Sequence, residues 1–252
     1  SWNDLNGLRN SVRSVCNQQA SYARIELVVF QDKSDSLMLD AEQRGQQTLC
    51  SSRGLVGMRT NYTVTFLPVP PDHLGSAAGK WILFEYIRRL SAPDDYVLVL
   101  DGDDVFSNDA GLARIWRTLS VHKPWFAWGK INGRFQEQCG PLPTRAHEFR
   151  NMVATTSGRQ TWPICHPRVF RSSLLLTLTK DDFCRADGSW LQKSTDRSFM
   201  FKFVERSGDE RVYFFDGEPL VNYSWTPING LLRFGPDSVQ GDKDYVNNQA
   251  PT

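Results

Sequence analysis

Asp101 and Asp103, with Gly102 between them, directly follow the apolar run at residues 96–100. A short run of β-formers ending in acids reads as a buried strand whose carboxyl end opens into a crevice, which is where open α/β sheets bind their ligands. Two neighbouring carboxylates repel each other, and a divalent cation or a proton resolves that repulsion. The competing reading is a solvated acidic turn. Two further polar groups occupy equivalent places. Asp32 lies just beyond the strand-like residues 24–30, and Lys80 lies in the small-residue turn Gly75-Ser-Ala-Ala-Gly79-Lys80, which opens a helix-like stretch. A carboxylate such as Asp32 can accept hydrogen bonds from a base or a ribose. A small-residue turn at a helix start lets a phosphate approach, and a lysine can pair with it. Together these groups suggest a site for a nucleotide diphosphate with Mg²⁺ or Mn²⁺.

The elements that must bring these groups together alternate through the first half. Residues 2–19 read as a helix, 24–30 as a strand, 38–49 as a helix and 62–69 as a strand ended by prolines. The helix opened at Gly75, the strand at 96–100 and a helix capped near Ser107-Asn108-Asp109 follow. This order predicts a parallel, doubly wound sheet. In the second half, 125–131 reads as a strand, 136–158 as an irregular loop region, and 168–177 as an apolar segment with helical character. Residues 191–205 read as a turn and helix around Ser194-Thr195-Asp196, and 212–215 and 220–223 as strands.

The stretches Ile25-Glu-Leu-Val-Val-Phe-Gln-Asp32-Lys-Ser34, Gly75-Ser-Ala-Ala-Gly79-Lys80, Tyr96-Val-Leu-Val-Leu-Asp101-Gly-Asp103-Asp104 and Ser194-Thr195-Asp196-Arg197 resemble, in this order, four motifs of the family-2-like inverting GT-A glycosyltransferases. They are its D-D-G-S strand end, its G-x-x-x-A-R turn, its D-x-D and its E-D pair before a helix. Gln31, Lys33, Lys80 and Thr195 stand where that family has Asp, Gly, Arg and Glu. The resemblance implies a Rossmann-like three-layer α/β fold, the GT-A fold, with a central, mostly parallel sheet and a mixed acceptor-side second half. It spans residues 1–225, with a nucleotide-sugar-binding half at 1–120 and an acceptor-binding half at 121–225. Residues 226–252 are left as a tail or lid.

The function implied is inverting transfer of a sugar from a nucleotide-diphosphate sugar, UDP- or GDP-linked, to a hydroxyl of a glycan or glycoconjugate. Asp103 with Asp101 would hold Mn²⁺ or Mg²⁺. Asp32, Lys80, Asp101 and Gly102 would bind the donor, and Asp196 would take the acceptor's proton. The structural alternative for Asp196 is a helix N-cap. Asp182 and Glu205 are reserve bases, His166 is a possible third metal ligand, and Trp162, Trp190 and Trp225 are either sugar platforms or core.

Two other enzymatic or binding readings compete. The residues from Asp101 to Val105 also fit the signature of HAD phosphatases, with Asp101 as nucleophile, Asp103 as acid/base, Asp181-Asp182 as a later acidic pair and Lys180 or Lys123 on the phosphate. Against it, two βα units precede the motif. A calcium loop fits poorly, because Phe106 and Leu112 occupy the positions of its glycine and bidentate glutamate. A GT-A domain that binds without turnover is the remaining alternative.

Composition excludes some partners. With 29 Lys and Arg against 28 Asp and Glu there is no global attraction to nucleic acid or anionic lipid. No apolar run approaches the about 20 residues that cross a bilayer. The chain opens in what reads as the middle of a βα unit, so an upstream strand or targeting segment is expected. The five cysteines, widely spaced and odd in number, favour free thiols and a cytoplasmic location, including the cytosolic face of a membrane. The tripeptides at Asn61 and Asn222 are formal glycosylation acceptors.

Overall fold

The computed structural model describes residues 5–18, 24–30, 62–67, 74–133, 135–155, 162–192, 195–224 and 245–246 of the chain, and every statement below concerns these. Asp32, the helix expected at 38–49, Asn61, Ser194 and Trp225 lie outside them.

The first half begins with helix α1 (Leu5–Cys16), which buries Leu8 and Val12 against Val29 of strand β1 (Ile25–Val29). Strand β2 (Tyr62–Phe66) pairs with β1 in parallel, from Ile25 opposite Tyr62 to Val29 opposite Phe66, as the alternating pattern predicts. Helix α2 (Ser76–Leu90) follows a Gly75 at φ 87°, a conformation that glycine adopts without a Cβ penalty. Its Gly79 has a packing role: a Cβ there would lie 2.7 Å from Cε1 of Phe30, just past the end of β1. The head of α2 therefore presses directly on the exit of β1.

Strand β3 (Tyr96–Val99) ends before the acidic turn, and β4 (Val105–Phe106) begins after it. Helix α3 (Gly111–His122) follows. Its first turn is satisfied from a distance, since Gln18 Oε1 accepts the Leu112 N–H at 2.9 Å, while Asn108 Oδ1 accepts the Ala110 N–H.

The second half brings the main difference from expectation. The segment at 168–177 is helical only in its second part. Strand β7 (Cys165–Arg171) runs first, and a 3-10 turn (Ser172–Thr177) follows it. Cys165 to Phe170 are buried in an unbroken run, so the apolar pattern carried no period that separates strand from helix. β7 is antiparallel both to β3 and to β5 (Phe126–Gly129), and β8 (Val212–Phe214) adds to β5 in parallel, giving the order β3-β7-β5-β8. A small sheet joins β4, β9 (Val221–Asn222) and β6 (Ile131–Asn132) in the order β4-β9-β6. Helix α4 (Phe149–Thr155) lies within the region expected to be irregular, and α5 (Thr195–Ser207) carries Asp196 in its first turn.

The core is aromatic. Phe84, Phe126, Trp128, Phe149, Phe170, Phe183, Phe199, Phe201 and Phe203 share one buried cluster, which also takes in Val246. The final segment thus returns to the body of the domain at least at that residue. The thiol reading is corrected here: Cys139 and Cys165 form a disulfide, Cys16 is also disulfide-bonded, and Cys184 is the free thiol among the described residues. Sequence spacing did not reveal this pairing, because β7 brings together cysteines 26 residues apart.

Candidate active site

The acidic turn closes tightly. The Asp104 N–H donates to the Asp101 carbonyl at 3.0 Å, so the chain folds back within four residues and brings Asp104 under Asp101. Pairing of Val105 with Asn222 then carries the start of β4 alongside β9, where the Ser224 N–H donates to Asp104 Oδ1 at 3.0 Å. Asp104 has no solvent exposure. β7 approaches from the other side. Its Arg168 stands opposite Val99, so the residues before Arg168 overrun the end of β3 and bring His166 to the turn. His166 Nε2 lies 3.3 Å from Asp101 Oδ2, and its Nδ1 lies 3.8 Å from Asp104 Oδ2.

Asp101, Asp104 and His166 therefore each offer a ligand atom, all within 4.8 Å of one another. Asp104 Oδ2 and His166 Nδ1 are buried and have no hydrogen-bond partner among the described residues. A buried polar atom left unpaired costs about 1–3 kcal/mol, and more when charged. Two carboxylates and an imidazole converging on one point satisfy this need if they hold a divalent cation, and the donor set suits Mn²⁺ better than Mg²⁺. Burial pushes the Asp104 carboxyl up to about 7, with the charges of Asp101 and Asp103 adding to it against the opposing pull of His166. At Asp101, burial acts in the same upward direction, but the charges of His166, Lys80 and Arg168 outweigh it and hold the carboxyl well below the usual range. Its side chain stays 37% exposed, so this side of the site is open.

Asp103 and Gly102, expected to share the work with Asp101, sit half-buried on the same turn. Among the described residues the group that converges is Asp101, Asp104 and His166, and Asp103 stands outside it. The tight closure brings the first and fourth residues of the turn together with His166. Asp103 remains close enough for its charge to bear on Asp104 and on Tyr223, whose phenol is raised to about 12 mainly by burial.

Lys80 and Asp196 meet beside this turn. Ser76 Oγ and Thr195 Oγ1, 3.1 Å apart, tie the head of α2 to the head of α5. One turn into α2, Lys80 Nζ lies 2.6 Å from Asp196 Oδ1 and within 3.4 Å of Thr195 Oγ1. Arg168 Nη1 holds the other oxygen, Asp196 Oδ2, at 2.8 Å. Burial opposes the charged form of Asp196, yet Arg168 and Lys80 outweigh it and lower the carboxyl, and a helix N-terminus also favours a carboxylate. For Lys80, burial likewise opposes the charge, and Asp196 and Asp101 outweigh it, raising the ammonium. The charges of both aspartates bear on Lys80, so the acidic turn and the α2–α5 junction lie within electrostatic reach of each other. Asp196 lies inside the first turn of α5, which begins at Thr195, so the helix does not start after it as the N-cap reading requires.

The reserve candidates have structural partners. Asp182 completes a capping box with Thr179 and pairs with Lys202 at 2.7 Å, and the buried Glu205 pairs with Arg150 at 2.6 Å. Trp162 packs on Phe149 and Phe201 under the Arg197 guanidinium, and Trp190 lies under Lys180. Lys123 ends α3 in a left-handed conformation. Two site residues carried no assigned role in the sequence reading. Asp104 was the unassigned acid of a quoted motif. Arg168 was a charge inside an apolar run, and such a charge is nearly always paired when buried.

No family model matches the sequence, and no curated protein matches it. Solved structures do. The chain superposes on S. aureus TarS with a TM-score of 0.54 at 15% identity, covering 90% of this chain and 36% of that one. Against S. aureus TarS 1-349 in complex with UDP the values are 0.55 and 16%, covering 90% and 59%. Against S. aureus TarS 1-349 they are 0.54 and 17%, covering 89% and 58%. The chain thus spans 36% to 59% of the lengths of these structures. The mixed α/β architecture, with parallel strands in its sheets, is a GT-A-like fold that it shares with these structures.

Proposed function

We propose that the chain is a glycosyltransferase domain that moves a sugar from a nucleotide-diphosphate sugar to a hydroxyl of a glycan or glycoconjugate, with inversion and with a divalent cation. The observation that carries this reading is the convergence, at the carboxyl end of one strand, of a Lys–Asp–Arg group and an Asp–Asp–His group in which the buried Asp104 Oδ2 and His166 Nδ1 have no hydrogen-bond partner among the described residues. The UDP bound to TarS in its complex supports UDP as the first nucleotide to try.

Asp101, Asp104 and His166 would hold Mn²⁺ or Mg²⁺, with Asp103 at their edge. The cation, when bound, neutralises charge developing on the leaving diphosphate. Lys80, at the head of α2, pairs with a diphosphate oxygen. Asp196 is the base: its carboxylate takes the proton of the acceptor hydroxyl as that oxygen attacks the anomeric carbon opposite the leaving group. The bond from that carbon to the phosphate oxygen breaks, and the nucleoside diphosphate departs. A carboxyl held low by two cations stays ionised across the neutral range. The phosphatase reading is not favoured, since the fold is the GT-A-like one and Lys180 packs over Trp190.

No helix among the described residues is long and apolar enough to cross a membrane. The disulfides remove the free-thiol argument for a cytoplasmic location and suit an oxidising compartment.

The test is release of nucleoside diphosphate from a panel of UDP- and GDP-sugars, with and without Mn²⁺, in the presence of glycan acceptors. One donor should turn over with the cation and stop when it is chelated, and Asp196→Asn should lower turnover at least 100-fold. Absence of release from every donor, or full turnover by Asp196→Asn, would contradict the reading.

A further inference from the structure

Each oxygen of Asp196 lies at ion-pair distance from a cation, Oδ1 2.6 Å from Lys80 and Oδ2 2.8 Å from Arg168, although Oδ1 and Arg168 Nη1 make no hydrogen bond of normal geometry. A carboxylate so committed has poor access to an acceptor hydroxyl, and a lysine so committed is not free for a diphosphate. The two cations are held very differently. Arg168 lies in the buried run of β7, with Val99 opposite it on one side and Trp128 on the other, and its side chain is 7% exposed. Lys80 reaches from a helix surface, its side chain is 15% exposed, and its remaining contacts, to Ser76 Oγ and Thr195 Oγ1, are long at 3.3 and 3.4 Å. An ammonium on a flexible stem changes partner readily, whereas a guanidinium fixed in a sheet does not.

Resting on the glycosyltransferase reading, we propose that Lys80 is a shared cation: the donor's diphosphate takes it from Asp196, which frees Oδ1 to accept the acceptor's proton while Arg168 keeps the carboxylate in place. The base is thereby blocked until a donor is present, and the acceptor is activated only afterwards. No bond is made or broken in this step, and one ion pair is exchanged for another.

The exchange has a consequence that a plain base would not have. Asp196 and the diphosphate compete for Lys80, so removing the carboxylate's charge must strengthen donor binding. The measurement is calorimetric titration of UDP with Mn²⁺ into the wild-type chain, Asp196→Asn, Lys80→Met and the double variant, each checked for folding by circular dichroism. Asp196→Asn should bind UDP at least threefold more tightly. Lys80→Met should bind at least tenfold more weakly, and in that background Asp196→Asn should bring no gain. Unchanged or weaker UDP binding by Asp196→Asn overturns the exchange while leaving the transferase reading in place. A gain that persists without Lys80 also overturns it, because the effect would then come from Arg168 or from net charge. If neither UDP nor GDP binds the wild-type chain, the exchange and the reading beneath it fail together.

Discussion

Asp104 shows what a single residue adds to the site. It is fully buried, one of its oxygens accepts from Ser224, and the other has no hydrogen-bond partner among the described residues. A carboxyl raised to about 7 in the fold, against about 3.9 unfolded, contributes stability below the lower value. That contribution is lost as pH rises through the higher value. Without a cation, the protein should therefore lose stability between pH about 4 and 7 on account of this group. Asparagine carries no charge to bury, so at pH 8 and without metal Asp104→Asn should melt higher than the wild type. It should also lose the rise in melting temperature that Mn²⁺ gives the wild type. Thermal melts with and without Mn²⁺ decide this, and a variant that kept the Mn²⁺ shift would remove Asp104 from the cation site. Asp101, Lys80 and Asp196 were legible in the sequence because each sits in a local motif whose neighbours declare its place. Asp104 and Arg168 were not, because their places depend on a turn closing and on a strand remote in sequence arriving beside it, which no local pattern records; His166, already a candidate third ligand, reaches the turn on that same strand.

Among the elements, α2 and β7 position the site. α2 was legible: Gly75, the small residues behind it and the periodic apolar face announce a helix start. The role of Gly79 was not, since the turn read as an approach for phosphate and the structure shows an approach for Phe30. Alanine in place of an exposed helix glycine gains up to about 1 kcal/mol. At Gly79 the added Cβ meets a ring at 2.7 Å, and overpacking of this kind costs about 1–3 kcal/mol. Gly79→Ala should therefore lower the urea midpoint, and Phe30→Leu should recover part of the loss in the double variant. A midpoint raised by Gly79→Ala alone would show that α2 does not press on β1 this closely. β7 was half legible. Only its second half fell in the apolar segment read at 168–177, burial along Cys165–Phe170 left no alternation that marks a strand, and its antiparallel partners are remote in sequence.

At the scale of the molecule, alternation of strand and helix in the first half correctly predicted parallel pairing, seen between β1 and β2. The mixed second half was also expected, and its sheet of three antiparallel or parallel pairings bears that out. The cysteines misled because spacing along a chain does not measure distance in a fold. The Cys139–Cys165 bond anchors the start of β7 next to His166, so the covalent link and the candidate metal ligand are chain neighbours. The central claim is that the acid turn, His166 and the α2–α5 junction make one donor site around one cation. Anomalous diffraction from crystals grown with Mn²⁺ and UDP tests it most directly. The account predicts a manganese peak bound by Asp101, Asp104 and His166, with the diphosphate between it and Lys80. A peak elsewhere, or UDP bound away from Lys80, would contradict it.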